Sequence, residues 1–430
     1  MKYGKLLILA LSACLITGCG AADEYIEEDN NEVDAFAYDV EVKEIQDETA
    51  NGMDDDIIVS ATEVYNKFFD MNAADKTSSI KSIMTALGNM DYVAVDIDNR
   101  INMTNYNKLV DFINNSKREQ EDVLTVLQLS YDGNLSELLL QTFEGNVSVF
   151  QKTYLYDGTN FNLLNSADYA AEVFDYTPEG YLMIEGHWDS EQMYILSLSD
   201  EEEHIAFRVS PMDSRLRELT EKYLDPVSYG QNNLFITNWS EDDFADIDFY
   251  DVFEIFYEKF YNKPMPYVMS EDLSVGNEYE VPAKELEDVV MAYFPIDADT
   301  LRLRLRYDDD TDCYIFRPRG YGESDYCDIP YPEVASFTEE DGVLTLEVNA
   351  VFPTDNTSKL FSHEVKISDV DGKITCLGNK VDIEDSDVLW WHTRRMTDGE
   401  WQKNYGDSEN GVVSAGDSSD TDISGTKDAS

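Results

Sequence analysis

The sequence predicts an α+β protein of two halves, each a helix or helices followed by an antiparallel β meander, at 58–235 and 236–405. Three observations predict it. Apolar residues recur at i, i+3, i+4 and i+7 in several segments, the spacing of one helix face. Short apolar runs punctuated by Asp-Gly come after them, the signature of hairpins. Helices and strands come in runs rather than in strict alternation, which favours α+β over a parallel α/β sheet.

In the first half, Ser60-Ala61-Thr62-Glu63 has the form of a capping box, and Val64, Tyr65, Phe68 and Phe69 continue at helical spacing. A second helix is expected over 78–90. A third is expected around Tyr106, Leu109, Val110 and Ile113. Strands are expected at 123–130, 137–143 and 147–156, with Asp132-Gly133 and Asp157-Gly158 as turns, and again at 181–185, 193–198 and 204–209. A helix over 214–224 closes this half.

The second half opens with an aromatic-rich helix, 249–261, ended by Lys263-Pro264-Met265-Pro266. Pro282 starts another, in which Leu286, Val289, Val290 and Tyr293 repeat the helical spacing. Strands are then expected at 301–307, 314–317, 343–351, 363–367 and 373–377, punctuated by Asp341-Gly342 and Asp371-Gly372.

The chain ends carry a different signal. Lys2 and Lys5 precede an apolar run, Leu6 to Ile16, that is too short to span a bilayer and has the length of a secretory h-region. Ile16-Thr17-Gly18-Cys19 follows and resembles the lipobox of bacterial lipoproteins. The reading is a signal peptide over 1–18, lipid on Cys19 and placement on the extracytoplasmic face of the cell membrane. Two acyl chains anchor stably where one would not. Residues 19–57 are acidic and read as a disordered tether, and 406–430, rich in Ser, Asp and Gly, as a disordered tail.

Composition narrows the function classes. With 89 acidic against 31 basic residues the net charge is −58, so the surface repels nucleic acid and also anionic head groups. Of five cysteines, Cys14 would leave with the signal peptide and Cys19 would be lipidated. Three remain, an odd number, which excludes a complete internal disulfide framework. Cys313 and Cys327 could close one loop and leave Cys376 as a thiol; all three could equally be reduced.

The stretches NNLFITNWSEDDFADIDFYDVFEIFY, YEVPAKELEDVVMAYFPID, IFRPRGYG, PYPEVASFTEEDGVLTLEVNAVFP, FSHEVKI and RRMTDGEWQKNYG resemble a family of clostridial lipoproteins classed as a domain of unknown function. The resemblance implies a Gram-positive surface protein with the same anchor. It implies no activity and no site residues.

No established catalytic motif is complete. Ser78-Ser79-Ile80-Lys81 fits S-x-x-K, but the K-T-G strand that chemistry requires is missing. There is no G-x-S-x-G, H-E-x-x-H or P-loop pattern, and the acidic runs 242–251 and 308–312 lack EF-hand spacing. No metal or cofactor is therefore expected. The most informative cluster is basic. On a 301–307 strand, Arg302, Arg304 and Arg306 would share one face and the intervening leucines the other, with Arg317 and Arg319 returning beside them. Ion pairing with neighbouring carboxylates accounts for such a group. The sharper alternative is an anion-binding site for a wall polymer, uronic acid or phosphate. Trp390, Trp391, His392 and Trp401 form an aromatic group expected to close the last sheet.

These observations favour a non-catalytic binding or interaction protein of the cell envelope, its partner an anionic envelope polymer or another envelope protein. A carboxylate-dependent hydrolase of extracellular polysaccharide and an envelope sensor or accessory subunit are the alternatives.

Overall fold

The computed structural model describes residues 50–73, 75–188, 201–230, 232–244, 246–270, 276–319, 329–383, 391–406 and 412–414. Cys19 with its lipobox, the expected strand at 193–198, Cys327 and Trp390 lie outside them. The described residues from 55 onward form one compact unit, and the fold is α+β, as the sequence predicts.

The first half is built on a five-stranded sheet. Helices α1 (Ala50–Phe68) and α2 (Thr77–Asn89) lead into β1 (Val93–Asp96); α3 (Tyr106–Lys117) then crosses to β2 (Asp122–Leu129). After it come β3 (Leu135–Phe143), β4 (Asn146–Tyr156) and β5 (Phe161–Ala170), and the spatial order is β1-β2-β3-β4-β5. β1 pairs parallel with β2, and the rest is an antiparallel meander. α1 opens at Ala50, ten residues before the expected capping box, so Ser60 lies inside the helix and 50–57 is helix rather than tether.

Alternation along the strands sorts the sheet into two faces. Val126, Leu138, Leu140, Val147 and Val149 face α3 and a second, three-stranded sheet. That sheet is β6 (Val173–Tyr176), β7 (Tyr181–Trp188) and β8 (Glu201–Arg208), which contributes Leu182, Ile184, Ile205 and Phe207. Leu127, Leu129, Leu135 and Tyr156 face the other way, against Val64 and Tyr65 of α1 and Ile80, Ile83 and Leu87 of α2. We call this the outer face.

α4 (Ser214–Leu219) runs on as one π-helical turn, Thr220–Leu224, and begins the larger core. That core gathers β9 (Trp239–Ser240), α5 (Phe249–Tyr261), β10 (Glu278–Pro282), α6 (Ala283–Tyr293), α7 (Ala298–Arg304), β11 (Tyr307–Asp308) and β12 (Cys313–Phe316). It also takes in β13 (Tyr331–Glu340), β14 (Val343–Val351), β15 (Ser362–Val370) and β16 (Lys373–Val381). α8 (Asp398–Tyr405) follows, and β17 (Val412–Ser414) pairs parallel with β10, so 412–414 belong to a sheet where a disordered tail was expected. β13–β16 and β9 make a five-stranded sheet, and β11-β12-β10-β17 a four-stranded one. The Asp-Gly signals sit where hairpins need them. Asp341 and Gly342 turn β13 into β14 at φ of +51° and +80°, and Asp371 and Gly372 turn β15 into β16 at +55° and +79°, the two left-handed residues of a I′ turn.

The expected strand at 301–307 is overturned as well. Residues 298–304 are helix, not the beginning of a strand. Asp297 caps that helix, accepting a hydrogen bond from the Thr300 backbone N–H at 2.8 Å, and a cap of this kind contributes about 1 kcal/mol. The Leu/Arg alternation has period two but lies on a helix, so only Leu301 is buried and Leu303 is left 88% exposed.

The halves meet through a buried polar cluster. Tyr181 Oη and Arg208 Nε both donate to Glu333 Oε2, at 2.6 and 2.8 Å, and Asn99 Oδ1 accepts from the Arg208 backbone N–H at 2.8 Å. Tyr181 and Met183 on the far side of the three-stranded sheet pack with Val351.

Candidate functional site

Two places in the molecule concentrate chemistry. One is the set of arginines read from the sequence. Arg302, Arg304 and Arg306 do not line one strand face, because 298–304 is the helix α7, but Arg306 and Arg317 do come together on shared acids. Arg302 Nε pairs with Glu287 at 2.8 Å, its guanidinium 4.7 Å from the Tyr307 ring centre. Arg306 reaches Glu278 at 3.0 Å and Asp398 at 3.3 Å. Arg317 meets the same two acids at 2.8 and 2.7 Å, under the Trp401 ring. Arg304 ends α7. Arg319 pairs with Asp251 at 3.2 Å. The guanidiniums of Arg302, Arg306, Arg317 and Arg319 thus face carboxylates, which supports reading them as ion-pair partners. Cys313 Sγ donates to the Thr311 carbonyl at 3.4 Å.

Arg395, which the sequence did not single out, is the centre of the deepest of these contacts. It pairs with Asp248 at 2.7 Å, with Asp251, and with Glu254 at 3.5 Å, all on the first turns of α5. Asp248 also caps α5 through the Tyr250 N–H. Three carboxyls thus share two guanidiniums in a buried site. Burial pushes Asp251 up to about 7, with Asp248 and Glu254 adding to it and Arg395 and Arg319 opposing. Burial is the main reason the proton is held so long, and the neighbouring acids add to it. A sequence signal for this anchor exists in Thr397-Asp398-Gly399-Glu400, which forms a full capping box at α8 just after Arg395.

Other groups singled out by type are satisfied within the core. His363 is buried, its Nδ1 2.7 Å from Asn379 Oδ1 and its Nε2 2.8 Å from Tyr229 Oη. Burial holds its imidazole down at about 4, so Nδ1–H donates to Asn379 and Nε2 accepts from the tyrosine. The arrangement resembles a relay but sits at 2% exposure among Phe235, Phe361 and Trp391. Trp391 is buried there, as expected of a residue closing the last sheet. Ser78 and Lys81 lie on α2, with Lys81 exposed. Among the described residues no group of three or more His, Cys, Asp or Glu could hold a metal ion. A cavity of about 20 Å³ between α5 and the β13–β16 sheet is lined by Phe235, Trp239, Phe256, Ile367 and Cys376, with Lys222 and Lys259 at its margin. It has room for one water.

The second place is the outer face of the first sheet. α1 and α2 cover only part of it. The cross-strand rows continue past them: Thr125–Leu139–Phe150–Asp168, then Val123–Gln141–Ser148, with Phe143 beyond. Val123 is 57% exposed, Phe143 58% and Phe150 40%; Leu163, opposite Tyr154 on the same face, is 59% exposed. Between the covered and uncovered rows lies Glu137, 4% exposed, with no hydrogen-bond partner for Oε2. Burial pushes its carboxyl up to about 7, against a hydrogen bond from Tyr154. The sequence showed the sign of this site in a lone acid inside Leu135-Ser136-Glu137-Leu138-Leu139-Leu140, and in apolar residues on both faces of β3 and β4.

The fold and these two places define an α+β protein with a pinned C-terminal core and a half-covered N-terminal sheet. The chain belongs to a family of unknown function, DUF6070, whose model matches residues 47–395. Neither the curated proteins nor the solved structures contain a match to it.

Proposed function

We propose that this protein is a non-catalytic interaction lipoprotein, held on the outer face of a cell membrane by lipid on Cys19, and that its first sheet binds another envelope protein. The observation that carries the reading is the uncovered outer face, where Val123, Phe143, Phe150 and Leu163 stand in water. Exposed apolar residues gathered on one sheet face in this way mark interaction surfaces. The lipobox-like Ile16-Thr17-Gly18-Cys19 supports the address.

Two measurements test it. The full chain made in a Gram-positive host should incorporate labelled palmitate and partition with membranes, and Cys19→Ala should abolish both. A photo-crosslinking residue at position 150 should give a discrete protein adduct on intact cells, while one at position 303 should not. Equal patterns at 150 and 303 would overturn the interaction reading.

A further inference from the structure

We infer that the uncovered half of the outer face receives an amphipathic helix from the partner protein, with an apolar stripe and Lys or Arg along its flanks. The inference rests on the interaction reading above and names the partner's chemistry.

The layer is the first argument. α1 and α2 already lie on this face over Leu127, Leu129, Leu135 and Tyr156, and the rows through Leu139 and Phe150 continue it without a break. A sheet face is stably buried by helices laid on it, so the missing element has the shape of those beside it. From Leu139 to Phe143 the uncovered part of the strand runs roughly 14 Å at 3.4 Å per residue, the length of about 9 helical residues, which an 18-residue peptide more than spans. Such a helix presents its stripe at i, i+3, i+4 and i+7.

Charge is the second argument. The uncovered rows between Val123 and Phe150 hold Thr125, Leu139, Gln141 and Ser148 and no acid. Carboxylates ring them. Asp168 lies beside Phe150, and Glu121 and Glu144 lie at the end of the sheet where Phe143 stands, while Asp122 is turned to the other face, where it accepts from Asn115 of α3. Lys117 is turned to the other side, over Tyr176, and Lys152 stands across from Glu137. Val123, Leu139, Phe143 and Phe150, interleaved with uncharged Thr125, Gln141 and Ser148 and flanked by acids, complement an apolar stripe with basic flanks. A second copy would bring the same rim and a net charge of −58 against itself.

The test uses the full chain and three synthetic 18-residue peptides: Leu/Lys with leucines in a helical stripe, the same composition scrambled, and a Leu/Glu stripe. Binding is read by fluorescence anisotropy in 0.5 M salt, which suppresses diffuse attraction between polycation and polyanion. The Leu/Lys stripe should bind at least about tenfold tighter than the other two, and Phe150→Asp should remove that advantage, as loss of a central apolar anchor does. Phe143→Asp serves as a second variant, with thermal unfolding to check that each folds. Equal binding of striped and scrambled peptides, or binding untouched by both substitutions, would overturn the inference. Self-association in sedimentation that is lost in Phe150→Asp would overturn it in favour of a second copy. An adduct at position 150 without preference for the helical stripe leaves the interaction reading standing and removes the helix.

Discussion

Glu137 in the first sheet and Asp251 in the second half are both buried carboxyls, and the chain treats them differently. Asp251 sits with Arg319 and Arg395 and shares them with Asp248 and Glu254. Glu137 has Tyr154, an unpartnered Oε2 and a bare apolar surface beside it. In a chain of 31 basic residues against 89 acidic ones, cations are scarce, and several stand where they pin the C-terminal segment to α5, β10 and β12. The first sheet keeps its acid by leaving the proton on it. The contrast separates a region whose polar groups are consumed in holding the fold from one whose surface is unfinished.

The strongest way to break this contrast is to remove the pin. Arg395→Met leaves buried Asp251 and Glu254 and half-buried Asp248 with one guanidinium, and stability should fall by about 3–5 kcal/mol, read as a lower midpoint in urea. A loss under 1 kcal/mol would show that Arg395 is ornamental.

Next comes pH. The unfolded chain protonates His363 near 6.5, while the folded chain refuses the proton until about 4. The stability this residue contributes is therefore whole above 6.5 and declines toward pH 4, by about 3 kcal/mol. Glu137 has the opposite sign. Unfolded, it ionises near 4.5; folded, it holds its proton to about 7. Its contribution is whole below 4.5 and is lost as pH rises through 7, again by about 3 kcal/mol. The two oppose each other between 4.5 and 6.5. In Glu137→Gln the acid-side loss should steepen, with Asp251 still opposing it, and stability at pH 8 should rise. An unchanged pH profile would remove Glu137 from the comparison.

A smaller effect tests how the first half is layered. A Cβ at Gly186 of β7 would run into the Tyr169 ring and come within 2.8 Å of the Ala170 carbonyl. Gly186→Ala should cost about 1–3 kcal/mol, measured by thermal unfolding. The smallest concerns Leu303 of α7: Leu303→Gln should change stability by less than about 0.5 kcal/mol. A larger loss would mean that the leucine packs, as a strand would have required.

Much of the fold was legible in the sequence because its signals were local. Leu109 with Ile113, and Leu286 with Val290, lie on one helix face each, and both helices form there. Asp341-Gly342 and Asp371-Gly372 supply their own left-handed backbone. What was missed depended on distant partners. β1 is four buried residues, Val93–Asp96, too short for periodicity, and exists because β2 lies beside it in parallel. β13 begins Tyr331-Pro332, and a proline counts against a strand until one sees that β14 pairs it on one side only. The 301–307 misreading shows a clean period of two overruled by one capping aspartate. At the sites, arginine clustering was visible but its meaning was not, since Arg395 and Asp251 are 144 residues apart. The bare sheet face was less visible still, because exposure is set by where α1 and α2 stop.

That same 144-residue separation carries a consequence for synthesis. The acids of α5 are translated long before Arg395, which settles them, and before Trp391. A ribosome that stalls, or a protease that clips the chain before Trp391, leaves α5 with acids lacking Arg395 and an aromatic hole beside Phe361. Such a shortened product should be less stable than the chain that carries Trp391 and Arg395, and more readily cut by proteases.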